Sequence, residues 1–89
     1  MATAPDISAP LRLLDLACNQ PARVTDVDWA LLSPPEARRL RELGLDEGVD
    51  VALIKRSGVL GGPVACRIGR MTVAMRRHVA GAIRVERDG

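Results

Sequence analysis

The chain has 89 residues, 47% of them apolar and 27% charged, which is the size and composition of one small globular domain. Such a domain buries only roughly 60–65% of its unfolded surface, leaving a thin core and little room for an enclosed catalytic pocket. Trp29 is the single aromatic residue, which excludes the aromatic platforms on which single-stranded nucleic acids stack.

Residues 1–10 are small, Pro-containing and unpatterned, and are expected to form a flexible N-terminus. Leu11, Leu13, Leu14 and Leu16 then make a short apolar segment that can pack as a strand or a single turn, broken by Cys18-Asn19-Gln20-Pro21. From Ala22 to Trp29 the chain is β-prone. Val24, Val27 and Trp29 do not alternate strictly, and that spacing predicts a bulge.

A helix is expected over about residues 34–43. Ser33 caps it, Pro34 suits its first position, and Glu36 completes a Ser-x-x-Glu capping box. Ala37, Leu40 and Leu43 give it one narrow apolar stripe. Gly44 supplies a left-handed stop, with Leu45 placed to fold back on Leu40.

Beyond Asp46 the period changes to two. Val49, Val51 and Leu53 alternate with Asp50 and Ala52 until Ile54-Lys55-Arg56 disturbs the phase. Residues 57–63 form a glycine-rich connection. Val64, Cys66 and Ile68 resume the alternation, Gly69-Arg70 makes a two-residue hairpin, and Met71, Val73 and Met75 return on the inward face. Arg76 to Ala80 reads as one helical turn ended by Gly81, and Ile83 and Val85 as a last strand. The expected fold is mainly β: an SH3-like barrel of about five short antiparallel strands, with one short α-helix inserted after the first strand.

Formal net charge is +2, but it is unevenly spread. Residues 1–48 carry five basic and eight acidic side chains, and residues 49–89 eight basic and three acidic. The basic half suits an acidic partner, an anionic membrane or nucleic acid, or is simply a solvated sheet surface.

No constellation for catalysis emerges. Cys18 and Cys66 show no CxxC pairing, and His78 is the only histidine, too little for a structural zinc site or a conventional relay. Cys66 faces inward as a small core hydrophobe, and Cys18 lies in a loop. Asp26 and Asp28 share one side of a strand without a third oxygen ligand, while Asp46 and Glu47 precede Gly48 as turn chemistry. The glycines lack the Gly-Lys-Ser/Thr of a phosphate loop. The reading is a binding module, not an enzyme, with no metal site and no cofactor. No signal peptide or membrane span is visible, so a cytoplasmic protein without direct membrane insertion is expected. Val59 and Leu60 stand apolar at the tip of the glycine-rich connection, where they either fold back over the barrel end or protrude toward a partner protein.

The run Leu40-x-x-Leu43-Gly44-Leu45-x-x-Gly48, then Leu60-Gly61-Gly62-Pro63, Gly69 and Met75-Arg76-x-x-x-Ala80-x-x-Ile83-x-Val85, resembles the FeoA family over about residues 11–87. Two segments depart from the family pattern: Asp46-Glu47-Gly48 stands where Pro-Gly is usual, and Ala17-Cys18-Asn19-Gln20 where a Pro/Gly turn is usual. The resemblance implies an SH3-like accessory protein of ferrous iron uptake that binds the cytoplasmic GTPase region of a FeoB-like transporter. It carries over no catalytic or iron-ligating residue. Val59, Leu60, Arg76 and Arg77 are the expected partner-binding residues, an apolar anchor beside guanidinium groups. No nucleic acid is expected as a partner, and a weak homo-oligomer is allowed. The alternative is a free-standing repressor-type barrel that binds protein segments or nucleic acid through the basic half.

Overall fold

The computed structural model describes residues 11–56 and 61–87. The expected flexible N-terminus, and Val59 and Leu60, lie outside the described residues. Five strands form one antiparallel sheet: β1 (Ala22–Val27), β2 (Asp50–Arg56), β3 (Val64–Ile68), β4 (Met71–Met75) and β5 (Ile83–Arg87). The order across it is β4-β3-β2-β1-β5, so the second hairpin strand and the last strand are its two edges. Helix α1 (Pro34–Glu42) links β1 to β2, and the four-residue α2 (Arg77–Ala80) carries the chain from one edge strand to the other.

Local chemistry sets these elements. In α1 the Ser33 hydroxyl accepts from the Glu36 N–H at 3.3 Å, and the Glu36 carboxylate accepts from the Ser33 N–H at 2.9 Å. At its other end Gly44 has φ +84°, a conformation that other residues reach only with strain. The Leu45 N–H returns to the Leu40 carbonyl, and the Gly44 N–H to that of Arg41, both at 3.0 Å. That is a Schellman ending, and both leucines are buried beneath it.

The bulge expected in β1 is present. The register of β1 against β5 shifts between Val24 and Asp26, so Val24 and Val27, three apart in sequence, are both buried. A second shift, in β2 between Leu53 and Lys55, falls where Ile54-Lys55-Arg56 breaks the alternation. Gly69 opens the β3–β4 hairpin at φ +60°.

Leu13–Asp15 settles as a 3-10 turn rather than a strand, with Leu13 and Leu16 fully enclosed. These join Val24, Leu53, Val64, Cys66 and Ile83 in one core cluster, onto which Met75 and Val79 also pack. Two details differ from the sequence reading. Trp29 has left the strand for a second 3-10 turn (Trp29–Leu31), where the Arg41 guanidinium lies 4.4 Å from its ring centroid. Met71 is 45% exposed although it shares the inward face of β4, and Val73 is only half-buried. An edge strand has a neighbour on one side only, so its turn-proximal end projects past the core.

Cys66 is completely buried, and burial pushes its thiol up to about 11. Cys18 is exposed, and neither cysteine is in a disulfide. Cys66→Ser is expected to destabilise the domain by about 1–3 kcal/mol, since a hydroxyl then needs a partner that the apolar core does not offer. Thermal unfolding should show a drop of at least about 5 °C, with Cys18→Ser unchanged as the control.

Candidate functional site: a groove between the helix and the sheet edge

Helix α1 stands off from the C-terminal half of β4, and a groove of about 280 Å³ runs between them. Leu40 and Leu43 from α1, Pro63 before β3, and Met75 and Val79 give it an apolar floor. Glu36, Arg39 and Arg76 form the rim. A wider, shallower depression of about 470 Å³ continues past Pro63 and Arg76 to Gly61, Arg77 and His78.

Local folding explains the placement of each rim group. The helical stripe turns Leu40 into the core, leaving Leu43 half-buried one turn later and Arg39 beside it on the open side. Arg76 is the residue before α2, in extended conformation, so its side chain leaves the sheet where β4 ends. The Glu36 carboxylate does two jobs: one oxygen caps α1, and the other accepts from the His78 Nε2–H at 2.7 Å. That contact fixes α2 against the start of α1 and so defines the groove's width at that end. The Ser33 backbone N–H is the main cause holding the Glu36 carboxyl below its ordinary range, followed among the lowering causes by His78.

Of the expected partner-binding residues, Arg76 and Arg77 therefore lie on one continuous concave surface. Gly61 and Pro63, which follow Val59 and Leu60 in sequence, line the same surface. Glu36, Arg39, Leu43, Met75 and Val79 were not singled out from sequence as site residues. The capping box accounted fully for Glu36, and the leucines read as core.

The paired aspartates have another task. Arg84 on β5 donates to Asp26 at 2.7 Å and to Asp28 at 3.3 Å, closing a clamp across the β1–β5 ladder. Among the described residues, no three His, Cys, Asp or Glu side chains converge as a metal site. No helix among them is long and apolar enough to cross a membrane.

Comparison with known proteins places this chain in a family. Residues 11–87 match the FeoA domain. The chain belongs to the FeoA family. It is similar to the FeoA protein of Chlorobium tepidum, with 32% identity, 86% of this chain and 70% of that one covered, and a TM-score of 0.72. The zinc-complexed FeoA of Stenotrophomonas maltophilia, described as an SH3 domain protein, gives 30% identity, coverage of 85% and 89%, and a TM-score of 0.71. The iron(II) transport protein A of Clostridium thermocellum gives 26% identity and a TM-score of 0.73 over 86% of this chain, which spans 45% of that one. A manganese-dependent transcriptional repressor shares the fold at a TM-score of 0.74 and 20% identity, over 89% of this chain and 43% of its own. No curated protein sequence gives a significant match.

The groove is held partly by one carboxylate, and this gives it a pH signature. A carboxyl whose folded pKa is depressed adds stability that is present above its unfolded value, here the ordinary 4.5, and lost as pH falls through the folded one. Wild type should therefore melt above Glu36→Gln near neutrality, and the gap should shrink as pH falls below the ordinary 4.5. A gap that stays constant through that fall would assign the capping contact no ionic part.

Proposed function

We propose that this FeoA-family protein is a cytoplasmic accessory of ferrous iron uptake that binds the GTPase region of a FeoB-like transporter through the α1–β4–α2 face. The observation that carries this reading is the apolar groove rimmed by Arg39 and Arg76 and continued by Arg77. A small, partly enclosed apolar floor ringed by guanidinium groups concentrates binding energy in few residues. The family is one of ferrous iron transport accessories. The Clostridium thermocellum relative is named as an iron(II) transport protein, and for the Stenotrophomonas maltophilia relative a role as a ferrous iron transport activating factor has been raised.

Binding rather than catalysis suits these side chains. The buried Cys66 thiol, at about 11, is no nucleophile, and the His78 Nε2 is engaged by Glu36. The repressor-type alternative is supported by fold alone, because the manganese-dependent repressor shares only 20% identity.

The test pairs a titration against the transporter's purified GTPase region with iron uptake in cells. Arg76→Glu is expected to leave melting nearly unchanged, since Arg76 is exposed, and to weaken binding about tenfold, or about 1.4 kcal/mol. Leu60→Asp belongs to the same series and is expected to weaken binding likewise. Undiminished iron uptake in a strain lacking the protein would remove the assignment. Tight, steeply salt-dependent binding to duplex DNA would favour the repressor-type reading instead.

A further inference from the structure

The outer edge of β4 is an open hydrogen-bonding surface. The two-residue turn at Gly69-Arg70 makes Ile68 and Met71 the closing hydrogen-bonded pair of the hairpin, and the ladder then alternates. Met71, Val73 and Met75 therefore bond to β3, whereas Thr72 and Ala74 present their N–H and C=O groups outward. Among the described residues no backbone partner covers them. The other edge differs: Val85 on β5 donates to the Leu11 carbonyl at 2.8 Å, and Arg12 bridges to Arg84.

We propose that β4 accepts an extended segment of a partner protein as a sixth strand, and that this segment carries an apolar centre flanked by carboxylates. This rests on reading the α1–β4–α2 face as partner-binding and states how binding occurs. Three observations converge on it. The groove opens directly beside Ala74 and Met75, so a side chain on the inner face of an added strand enters it. The strand itself, Met71 to Met75, has no charge, proline or bulge, the usual devices that blunt a free edge. Its two ends carry Arg70 and Arg76, with Arg39 across the groove, and none of the three has a carboxylate within ion-pair distance among the described residues. The carboxylate in the groove, Glu36, is already committed to Ser33 and His78.

Charge also selects against a second copy of this chain. Pairing two β4 strands antiparallel about Val73 sets Arg70 of one opposite Arg76 of the other. An acidic-flanked strand meets both guanidiniums with opposite charge.

The test uses full-length, nitrogen-15-labelled protein and the blocked peptide Glu-Asp-Val-Thr-Leu-Thr-Val-Asp-Glu, with its Lys/Arg-flanked counterpart as control. The acidic peptide is expected to bind, to slow amide exchange at Thr72 and Ala74, and to lose affinity as salt rises. Thr72→Pro deletes an outward N–H without touching the β3 ladder, so melting should change little while affinity falls about tenfold. Ala74→Glu, which keeps the backbone donors but adds charge of the peptide's own sign, should also weaken binding. Absence of binding, equal binding of the basic peptide, or exchange protection elsewhere than at Thr72 and Ala74 overturns the inference. So does a dimer that Thr72→Pro dissociates, or a gain in peptide affinity on removing residues 1–10. Repeating the titration with the transporter's GTPase region separates the two readings. If that region binds wild type and Thr72→Pro equally, edge addition fails and the transporter assignment stands. Peptide binding without transporter binding gives the reverse.

Discussion

Leu13 and Leu16 fill the space that a five-stranded sheet without core aromatics leaves open, and the remaining architecture is fitted around them. Both are essentially solvent-free, and their 3-10 turn touches β2, β5 and α2. A turn that packs two leucines into the core leaves carbonyls in need of partners. Arg56 at the end of β2 donates to the Leu14 carbonyl at 2.5 Å and to that of Leu16 at 3.2 Å. On the other side Arg12 donates to the Gly81 carbonyl at 2.7 Å, just past α2. The apolar plug thus brings polar ties to a central strand and to the end of α2, the element that carries Val79 of the groove and directly follows Arg76.

The ionic contacts are few, and their effect is orientation more than stability. Arg84 meets Asp26 and Asp28, but Asp26 is largely exposed, and exposed pairs add only about 0–1 kcal/mol. Their geometry matters because β5 is an edge strand that must hold register across the β1 bulge. The Glu36–His78 contact has a similar role at the groove: it joins two short helices that share little other packing. Both contacts use acidic side chains from the first half of the chain to hold basic elements from the second. The opposite charges of the two halves are therefore partly paired with each other, and Arg70, Arg76 and Arg77 of the second half join Arg39 on the α1–β4–α2 face.

What could be read from sequence follows the range of the forces involved. Helix α1 was legible at both ends because its Ser33 box and Gly44 stop act within a few residues. The β1 bulge was legible because Val24 and Val27 cannot both face the core without one. Met71 shares the face that alternation assigns to it and is still exposed, because alternation says nothing of whether that face is covered at the end of an edge strand. The first leucine segment stayed ambiguous because a strand and a turn bury Leu13 and Leu16 equally well in one dimension. The groove was hidden for a different reason: its walls come from residues 36–43, 63 and 74–79, and their proximity follows from the sheet order. Arg76 and Arg77 were reachable only through their position beside the closing strand.

An uncharged edge strand is normally a hazard, and among the described residues nothing pairs with the outer side of this one. The charges at its two ends resolve the conflict. Arg70 and Arg76 act as flanking residues that oppose pairing with another copy of the same strand, as gatekeeping charges do beside aggregation-prone segments. Such protection discriminates by sign, since guanidiniums at both ends attract a strand bearing carboxylates at both ends. The groove then adds a second filter, because backbone hydrogen bonds alone would accept any extended chain while an apolar floor between α1 and β4 rewards one with a fitting side chain. Solubility and selectivity at this edge are thereby set by the same two arginines.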